Sequence, residues 1–373
     1  MDIRLLIWYY FDMNYTEERD IKYLNKLREE ILPSLPAFCK DFFVGIGMRT
    51  TALTRYNYAT DLKLFFEYAT QYGSVFEGMS VQDITLSDMQ QVEKRDIERF
   101  LDYIDSYYSQ SKDTYIKNRD SAKARKLSAV RSLFAYLYKS DLIPENVTLK
   151  VDVPKIREKE IIRLEDAEVS DVLDELICVD TFASERKNSY NNNNTKIRDN
   201  AIITLLLGTG IRVSELVGLN VTDIDFINSS FTVTRKGEKR SILYFSDDIG
   251  SVLSDYLDFR KNILEKHQSP DPDALFLSLR DTRISVRAVE LIVKKYAQTV
   301  TPLKKITPHK LRSTYGTALY RATKDIYVVA EVLGHKDINT TKKHYAAISE
   351  DIKKEAADKV KLNRSGDTNN SGK

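Results

Sequence analysis

The sequence predicts a mainly helical protein of two domains, the second of which carries a small antiparallel sheet. Three observations favour this fold class. The chain has 373 residues, which is long for one core because domains usually contain about 100–200 residues. Apolar residues recur at helical spacing over most of the chain. One stretch in the second half alternates instead, as expected for a β-hairpin.

The composition is that of an ordinary globular protein, with 42% hydrophobic and 30% charged residues and a net charge of +2. Overall charge therefore does not indicate a nucleic-acid partner, and its distribution must be read instead. Cys39 and Cys178 are far apart and lack metal-ligand spacing, so we expect a cytoplasmic protein without disulfides. The apolar stretch 5–11 is too short to span a bilayer. It is expected to pack within an N-terminal arm, 1–33, with a targeting role as the alternative.

The first domain is predicted to be helical over residues 34–147. Each helix is inferred from apolar residues that fall on one face. A charged helix in the arm precedes them, and Pro144 and Pro154 bracket a linker, 148–163. The predicted helices cover residues 16–33, 54–68, 95–107 and 121–138.

Positive charge is concentrated in the segment 112–139, which contains eight basic and two acidic residues and so has a net charge of +6. Such a segment can contact DNA phosphates. A solvated helix face explains the same charge without a ligand. The candidates for DNA binding are Lys123, Arg125, Lys126 and Arg131.

The second domain is assigned to residues 164–362, followed by a polar tail, 363–373, that is expected to be disordered. Helices are predicted at 164–176 and, as a buried segment, at 201–207. The asparagine run 191–194 is predicted to be a loop. Two alternating stretches with a turn between them predict a hairpin. Its strands are 231–236 and 241–245, its tip is 236–239, and 223–226 is a possible third strand.

Three short stretches carry residues with chemical potential. In 209–216, Arg212 follows the buried helix and Glu215 lies one turn later. In 307–312, Thr307 and Pro308 suit the start of a helix, so His309 and Arg312 lie close together near exposed backbone amides that favour an anion. Taken separately, each stretch has a simpler structural interpretation, namely a surface cation or ion-pair partner for Arg212 and a capped surface helix for 307–312.

The third stretch, 332–345, contains Gly334, His335 and Tyr345. Gly334 has the character of a residue that ends a helix. Tyr345 is one of 22 tyrosines, so its position alone says little. However, three of the four histidines fall in the last two stretches, and this clustering indicates a site.

Taken in order, these residues resemble the signature of the tyrosine recombinase, or phage integrase, family. That signature is carried by Arg212, Lys236, His309, Arg312, His335 and Tyr345. The stretches 209–216 and 333–341 resemble the XerC/XerD branch in particular. The resemblance covers about residues 160–350, and 34–147 resembles the family's core-binding domain more loosely. One departure is that nine residues separate His335 from Tyr345 where eight are usual.

The resemblance implies a chemistry in which Tyr345 attacks a DNA phosphodiester and becomes joined to the 3′-phosphate. Arg212 and Arg312 would bind the phosphate with His335, while His309 would accept or orient the tyrosine proton. Glu215 would steady the site. Lys236 would protonate the leaving 5′-oxygen, with Arg235 and Lys239 as alternatives for that role. No cofactor or metal is implied.

At the level of the whole chain, the resemblance implies a two-domain clamp around double-stranded DNA. The first domain would be the core-binding domain and the second the catalytic domain. Four protomers would assemble on two DNA sites in the nucleoid, with a helix at 348–361 packing on a neighbour. Chromosome dimer resolution and mobile-element integration share this chemistry. A non-catalytic DNA-binding protein and a type IB topoisomerase-like enzyme are the alternatives.

Overall fold

The computed structural model describes residues 14–109, 113–155, 162–177, 189–235, 239–335, 337–338 and 341. The chain divides into two compact units, 1–159 and 160–373. This division falls inside the range that the sequence assigns to the linker, 148–163. The apolar stretch 5–11, the helix expected at 348–361 and the tail all lie outside the described residues.

Unit 1 is built of helices around an aromatic core, and the core includes the fully buried rings of Phe42, Phe65 and Phe134. Its helices are α1 (Tyr15–Lys26), α2 (Cys39–Gly45), α3 (Ala52–Tyr72), α4 (Leu86–Met89), α5 (Lys94–Tyr103) and α6 (Asp120–Lys139). The long helices α3 and α6 pack against each other. The four helices predicted from 16 to 138 are therefore present, although their ends differ.

The described part of the predicted arm belongs to the core of unit 1. Asn14 and Glu17 form a capping box that starts α1. The chain continues through a π-helical turn, Leu27–Ile31, whose Leu27 and Ile31 are buried. Residues 14–33 are therefore held by apolar burial and packing against α3.

The helix predicted at 95–107 is too long, because α5 ends at Tyr103. Strand β1 (Ser106–Ser109) follows and pairs in antiparallel register with β2 (Thr114–Lys117). The sequence of β1 is Ser-Tyr-Tyr-Ser, and its two adjacent tyrosines favour a strand over a helix. The basic segment 112–139 is consequently divided between β2 and α6.

Unit 2 is mainly helical and contains a three-stranded antiparallel sheet in the order β3-β4-β5. Its helices are α7 (Asp166–Ile177), α8 (Ser189–Thr209), α9 (Val213–Gly218), α10 (Asp247–Lys266), α11 (Val286–Val300), α12 (Pro308–Thr323) and α13 (Ile326–Leu333). The strands are β3 (Ile224–Asp225), β4 (Ser230–Arg235) and β5 (Lys239–Tyr244). The predicted fold class is confirmed, as are the hairpin and its third strand.

Helix α8 lies at the centre of unit 2 and packs against both α10 and α12. The loop predicted at 191–194 is wrong, because these residues form part of α8. Asparagine is a weak helix former, but propensity is readily outweighed by packing. Here the buried segment around Leu205 and Leu206 sustains a long helix. Within the described ranges, no helix has the length and apolar character needed to cross a membrane.

Candidate active site

The candidate site is built around the carboxyl end of α13. Gly334 has φ 60° and ψ 47°, a left-handed conformation that glycine adopts without penalty. Its N–H donates to the Glu331 carbonyl at 2.9 Å, and the N–H of His335 donates to the Ala330 carbonyl at 2.9 Å. These two bonds form a Schellman motif. Gly334 therefore ends the helix, as the sequence predicts, and sets the direction in which His335 leaves it.

Three arginines from distant parts of the chain bind the carbonyl oxygens at this helix end. Arg235 donates to the carbonyls of Glu331 and Val332 at 3.3 and 2.8 Å. Arg312 donates to the Leu333 carbonyl, and Arg212 donates to the Gly334 carbonyl at 3.0 Å. The last carbonyls of a helix lack partners within it and carry partial negative charge. Cations are therefore held here by both hydrogen bonding and the helix dipole.

Arg212 is held from two sides. It precedes α9, where the buried Glu215 carboxylate accepts its backbone N–H at 3.0 Å and its Nη1 at 2.7 Å. The Arg212 side chain is 36% exposed, whereas that of Glu215 is 5% exposed. A guanidinium has five N–H donors, and two of those on Arg212 are used, one by the Glu215 carboxylate and one by the Gly334 carbonyl. Arg212 is thus fixed in direction while part of it faces solvent, which suits an anion-binding group.

Arg312 joins two of the three stretches that the sequence singles out. It lies in α12, is 4% exposed, and donates to the carbonyls of Gly210 and Leu333. Gly210 has φ 61°, and a Cβ there would overlap the ring of Tyr315. The turn before Arg212 can therefore approach α12 because position 210 has no side chain.

The two histidines are placed differently. His335 is partly buried, and its Nδ1 lies 2.8 Å from Oγ1 of the buried Thr341, so this bond orients the ring. His309 is exposed in the first turn of α12, three residues before Arg312. Pro308 occupies the first helical position as expected, but the Thr307 side chain makes no capping bond.

Lys236 and Tyr345 lie outside the described residues. Of the alternatives to Lys236, Arg235 bonds to the α13 carbonyls, and Lys239 is exposed at the start of β5. Burial lowers the pKa of Arg235, with Arg212 adding to this shift and Glu215 opposing it. The structure therefore gives Arg235 a role in binding backbone that the sequence motifs did not reveal. No local pattern could have shown it, since its partners lie about a hundred positions further along the chain.

The four DNA-binding candidates in unit 1 all have partners within the protein. Lys123 Nζ lies 2.8 Å from Asp105 Oδ1, and Arg125 pairs with the buried Asp61. Lys126 is 7% exposed, and Arg131 donates to a backbone carbonyl. Arg125 nevertheless remains 47% exposed. These contacts assign structural roles, and phosphate binding by the four residues stays a prediction.

As a whole, the site can bind and polarise an anionic group. The guanidinium groups of Arg212 and Arg312 and the oriented ring of His335 meet at one helix end, where Arg212 is accessible to solvent. Fixed donors of this kind stabilise negative charge that develops during a reaction, because they need no rearrangement. Among the described residues, no group of three or more histidine, cysteine or acidic side chains is arranged to hold a metal ion.

Comparison of the sequence with known proteins identifies clear relatives. The sequence model of the phage integrase family matches residues 181–351. The tyrosine recombinase XerC of Caldanaerobacter subterraneus subsp. tengcongensis is 31% identical, and the match covers 98% of this chain and 99% of XerC. The tyrosine recombinase XerS of Streptococcus agalactiae is 32% identical over 89% of this chain and 97% of its own.

Solved structures share the fold at lower identity. The site-specific recombinase XerH, in a post-cleavage complex with a palindromic difH substrate, gives a TM-score of 0.64 at 18% identity. That match covers 92% of this chain and 90% of XerH. A lambda integrase dimer bound to a core site gives a TM-score of 0.55 at 16% identity, over 82% of this chain and 93% of that one.

Proposed function

Because this chain belongs to the phage integrase family of tyrosine recombinases, we propose that it cuts and rejoins double-stranded DNA at specific sites. Tyr345 is the proposed nucleophile. The observation that carries the proposal is the meeting of Arg212, Arg312 and His335 at the end of α13, an arrangement that favours the binding of one phosphate.

In the proposed reaction, the Tyr345 oxygen attacks the phosphorus of the scissile phosphodiester. A phosphotyrosine bond to the 3′-phosphate forms, and the bond to the 5′-oxygen breaks. His309 accepts or orients the tyrosine proton, and Lys236 supplies a proton to the departing 5′-oxygen. A 5′-hydroxyl from a partner strand then reverses the step, so the covalent intermediate conserves the phosphodiester bond energy.

The phosphate itself is held by Arg212, Arg312 and His335. Negative charge grows on the non-bridging oxygens during attack, and arginine can hold two oxygens with one planar group. Each arginine already bonds to at least one backbone carbonyl, which fixes its direction. Such preorganised donors are commonly worth about 3–4 kcal/mol each in lowering a barrier.

For the whole chain, we propose that 34–147 is a core-binding domain and 164–362 the catalytic domain, which together enclose the duplex. Four protomers would act on two DNA sites, and the protein would be found with the nucleoid. Relatives named XerC and XerS favour chromosome dimer resolution as the biological role. Integration or excision of a mobile element uses the same chemistry and is the second candidate.

The test uses a suicide substrate, nicked so that the fragment with the 5′-hydroxyl escapes and the covalent complex accumulates. Wild-type protein, Tyr345→Phe and the control Tyr327→Phe, whose tyrosine is exposed on α13, are incubated with nicked fragments of the source genome in EDTA. We expect a protein–DNA adduct on a denaturing gel for wild type and the control, and none for Tyr345→Phe.

An adduct with Tyr345→Phe would show that another tyrosine is the nucleophile. If specific DNA binding occurred without an adduct in any sample, the protein would be a non-catalytic DNA-binding member of the family. Relaxation of supercoiled DNA without exchange of strands between two sites would indicate a topoisomerase-like enzyme.

A further inference from the structure

Arg235 stands apart from the recombinase motifs, yet it bonds to two backbone carbonyls of the candidate site that lie 96 and 97 positions away in the sequence. It is the last residue of β4, and it bonds to the Glu331 and Val332 carbonyls near the end of α13. A strand end is thereby joined to a helix end by two hydrogen bonds from one planar group.

The surroundings of Arg235 are shaped to its side chain. A Cβ at position 334 would overlap Nη1 of Arg235, so the missing side chain of Gly334 leaves the space that the guanidinium fills. The Schellman motif satisfies the carbonyls of Ala330 and Glu331, and Arg235 supplies the partner of the next one, Val332. Gly334 thus serves two purposes, the left-handed turn and the close approach of Arg235.

This arrangement has costs that simple helix capping would not require. Nε of Arg235 is buried and has no hydrogen-bond partner in the part of the chain that the structure describes. An unsatisfied buried donor commonly costs about 1–3 kcal/mol. Burial of the guanidinium also lowers the pKa of Arg235, and this effect outweighs the opposing attraction of the Glu215 carboxylate. A cost of this kind within a candidate site motivates the hypothesis that the position of Arg235 matters to function.

The position of Arg235 along the chain shows what it could control. Arg235 pairs with Lys239 as the last step of the β4–β5 ladder. The next residue is Lys236, the proposed acid for the leaving group, and consecutive Cα atoms are about 3.8 Å apart. Fixing Arg235 against α13 therefore limits where Lys236 can lie relative to His335, which follows directly from the same helix end.

We propose that Arg235 is a positioning residue for cleavage, holding the strand end that leads into Lys236 against the helix end that carries Gly334 and His335. This inference rests on the proposed function. Both hydrogen bonds of Arg235 go to α13. Without them, the strand that leads to the leaving-group acid and the helix end that carries the phosphate-binding groups could move apart. The alternative is that Arg235 only stabilises the fold.

The experiment uses two DNA substrates that differ in one atom at the scissile phosphate, once the cleavage site has been mapped. In one, the bridging 5′-oxygen is present. In the other, sulfur replaces it. A thiol has a pKa of about 8.5, far below that of water or an alcohol. The 5′-thiolate of the sulfur substrate can therefore leave without an acid. A variant that is slow only because it delivers the proton poorly should cleave this substrate at the wild-type rate.

Four variants are compared with wild type in single-turnover cleavage. Arg235→Met keeps the length of the side chain and removes its donors, and Arg235→Lys keeps the charge. Lys236→Ala is the reference for a missing acid, and Arg212→Ala is the reference for a weakened phosphate site. DNA affinity and melting temperature are measured for each variant.

We expect Arg235→Met to cleave the oxygen substrate roughly a hundredfold more slowly, a typical contribution of acid catalysis. On the sulfur substrate its rate should return to within about threefold of wild type, as for Lys236→Ala. Arg235→Lys should show the same pattern with a smaller loss. Arg212→Ala should be slow on both substrates.

Equal losses on both substrates, or no loss on either, would overturn the role of Arg235, since a purely structural defect cannot be rescued by sulfur. The proposed function fails differently. In that case wild type would cleave neither substrate, or Lys236→Ala would stay slow on the sulfur substrate, and the inference about Arg235 would fall with it.

Discussion

Arginine side chains dominate the candidate site, because backbone carbonyls and phosphate oxygens both accept hydrogen bonds from a guanidinium. Arg212, Arg235 and Arg312 each bond to a carbonyl near the end of α13. A guanidinium can bond to backbone with some of its five N–H groups and still present others to a ligand. The carbonyls therefore fix the direction of each side chain before DNA arrives.

We expect Arg212→Ala to lower the rate of covalent adduct formation about a thousandfold or more, while DNA affinity changes little. In the proposed mechanism Arg212 is one contact among many to DNA, but its guanidinium would bind the phosphate oxygens on which charge develops during attack. Filter binding and the suicide-substrate assay measure the two quantities. Loss of binding with normal cleavage of the DNA that remains bound would contradict this role.

Asp61 in unit 1 provides a prediction about pH. It is 2% exposed, and burial raises the pKa of its carboxyl above the ordinary value even though Arg125 and Lys126 oppose that shift. In the window between that ordinary value, about 3.9, and the raised pKa of the folded state, the folded chain binds more protons at this residue than the unfolded chain does. Stability from this group is therefore complete below the window and is lost as pH rises through it.

We accordingly expect wild type to gain stability relative to Asp61→Asn as pH is lowered from 7 towards 4. The gain is about 1.4 kcal/mol for each unit by which the pKa is raised. Urea unfolding of the full chain at several pH values measures it, with the exposed Asp102→Asn as the control. A difference between wild type and Asp61→Asn that did not change with pH would show that the carboxyl titrates normally.

At the scale of elements, the turn after α13 is the decisive feature of the site. Its left-handed Gly334 closes the helix, directs His335 and leaves space for Arg235. A single residue thus controls three contacts from different parts of unit 2. The substitution that probes it best adds one methyl group.

Gly334→Ala is expected to lose cleavage activity and about 1–2 kcal/mol of stability from the left-handed backbone alone, with a further loss from the collision with Arg235. The matched control is Gly78→Ala. Gly78 also has a positive φ, 78°, but an added Cβ would meet nothing within 4 Å. Thermal unfolding and adduct formation are measured for both. Equal effects on activity would rule out a specific role for the turn.

At the scale of the whole molecule, DNA binding by unit 1 should depend on those cations that remain accessible. Lys117, at the end of β2, and Arg119, before α6, are exposed. By contrast, Lys126 is buried and Lys123 pairs with both Asp105 and Asp120. Neutralising the paired residues would also disturb the fold, so the exposed pair gives the cleaner test.

We expect Lys117→Gln combined with Arg119→Gln to weaken binding and to reduce the slope of log affinity against log salt by up to about 2, roughly 0.9 for each DNA phosphate that is no longer neutralised. Lys22→Gln combined with Lys94→Gln, which removes the same charge from α1 and α5, is the control. An unchanged slope in the test variant would mean that the basic segment is solvated and does not touch DNA.

The sequence by itself determined the elements and the order of the motifs. Apolar periodicity placed the long helices α3 and α6, and alternation placed the β4–β5 hairpin, because both patterns are local. The same local information identified Gly334 as a helix end and Pro308 as a helix start. It failed at 106–109 and at 191–194, where a short strand and a long helix depended on pairing and packing with other parts of the chain.

Only the tertiary structure decided which backbone groups the arginines bind. Arg212 and the Gly334 carbonyl are 122 positions apart, and Arg235 lies 97 positions from Val332. A carbonyl oxygen is common to every residue, so no side-chain pattern marks the one that an arginine will meet. Arg212, Arg312 and His335 could therefore be singled out from the sequence, but the helix end that brings them together is a property of the folded chain.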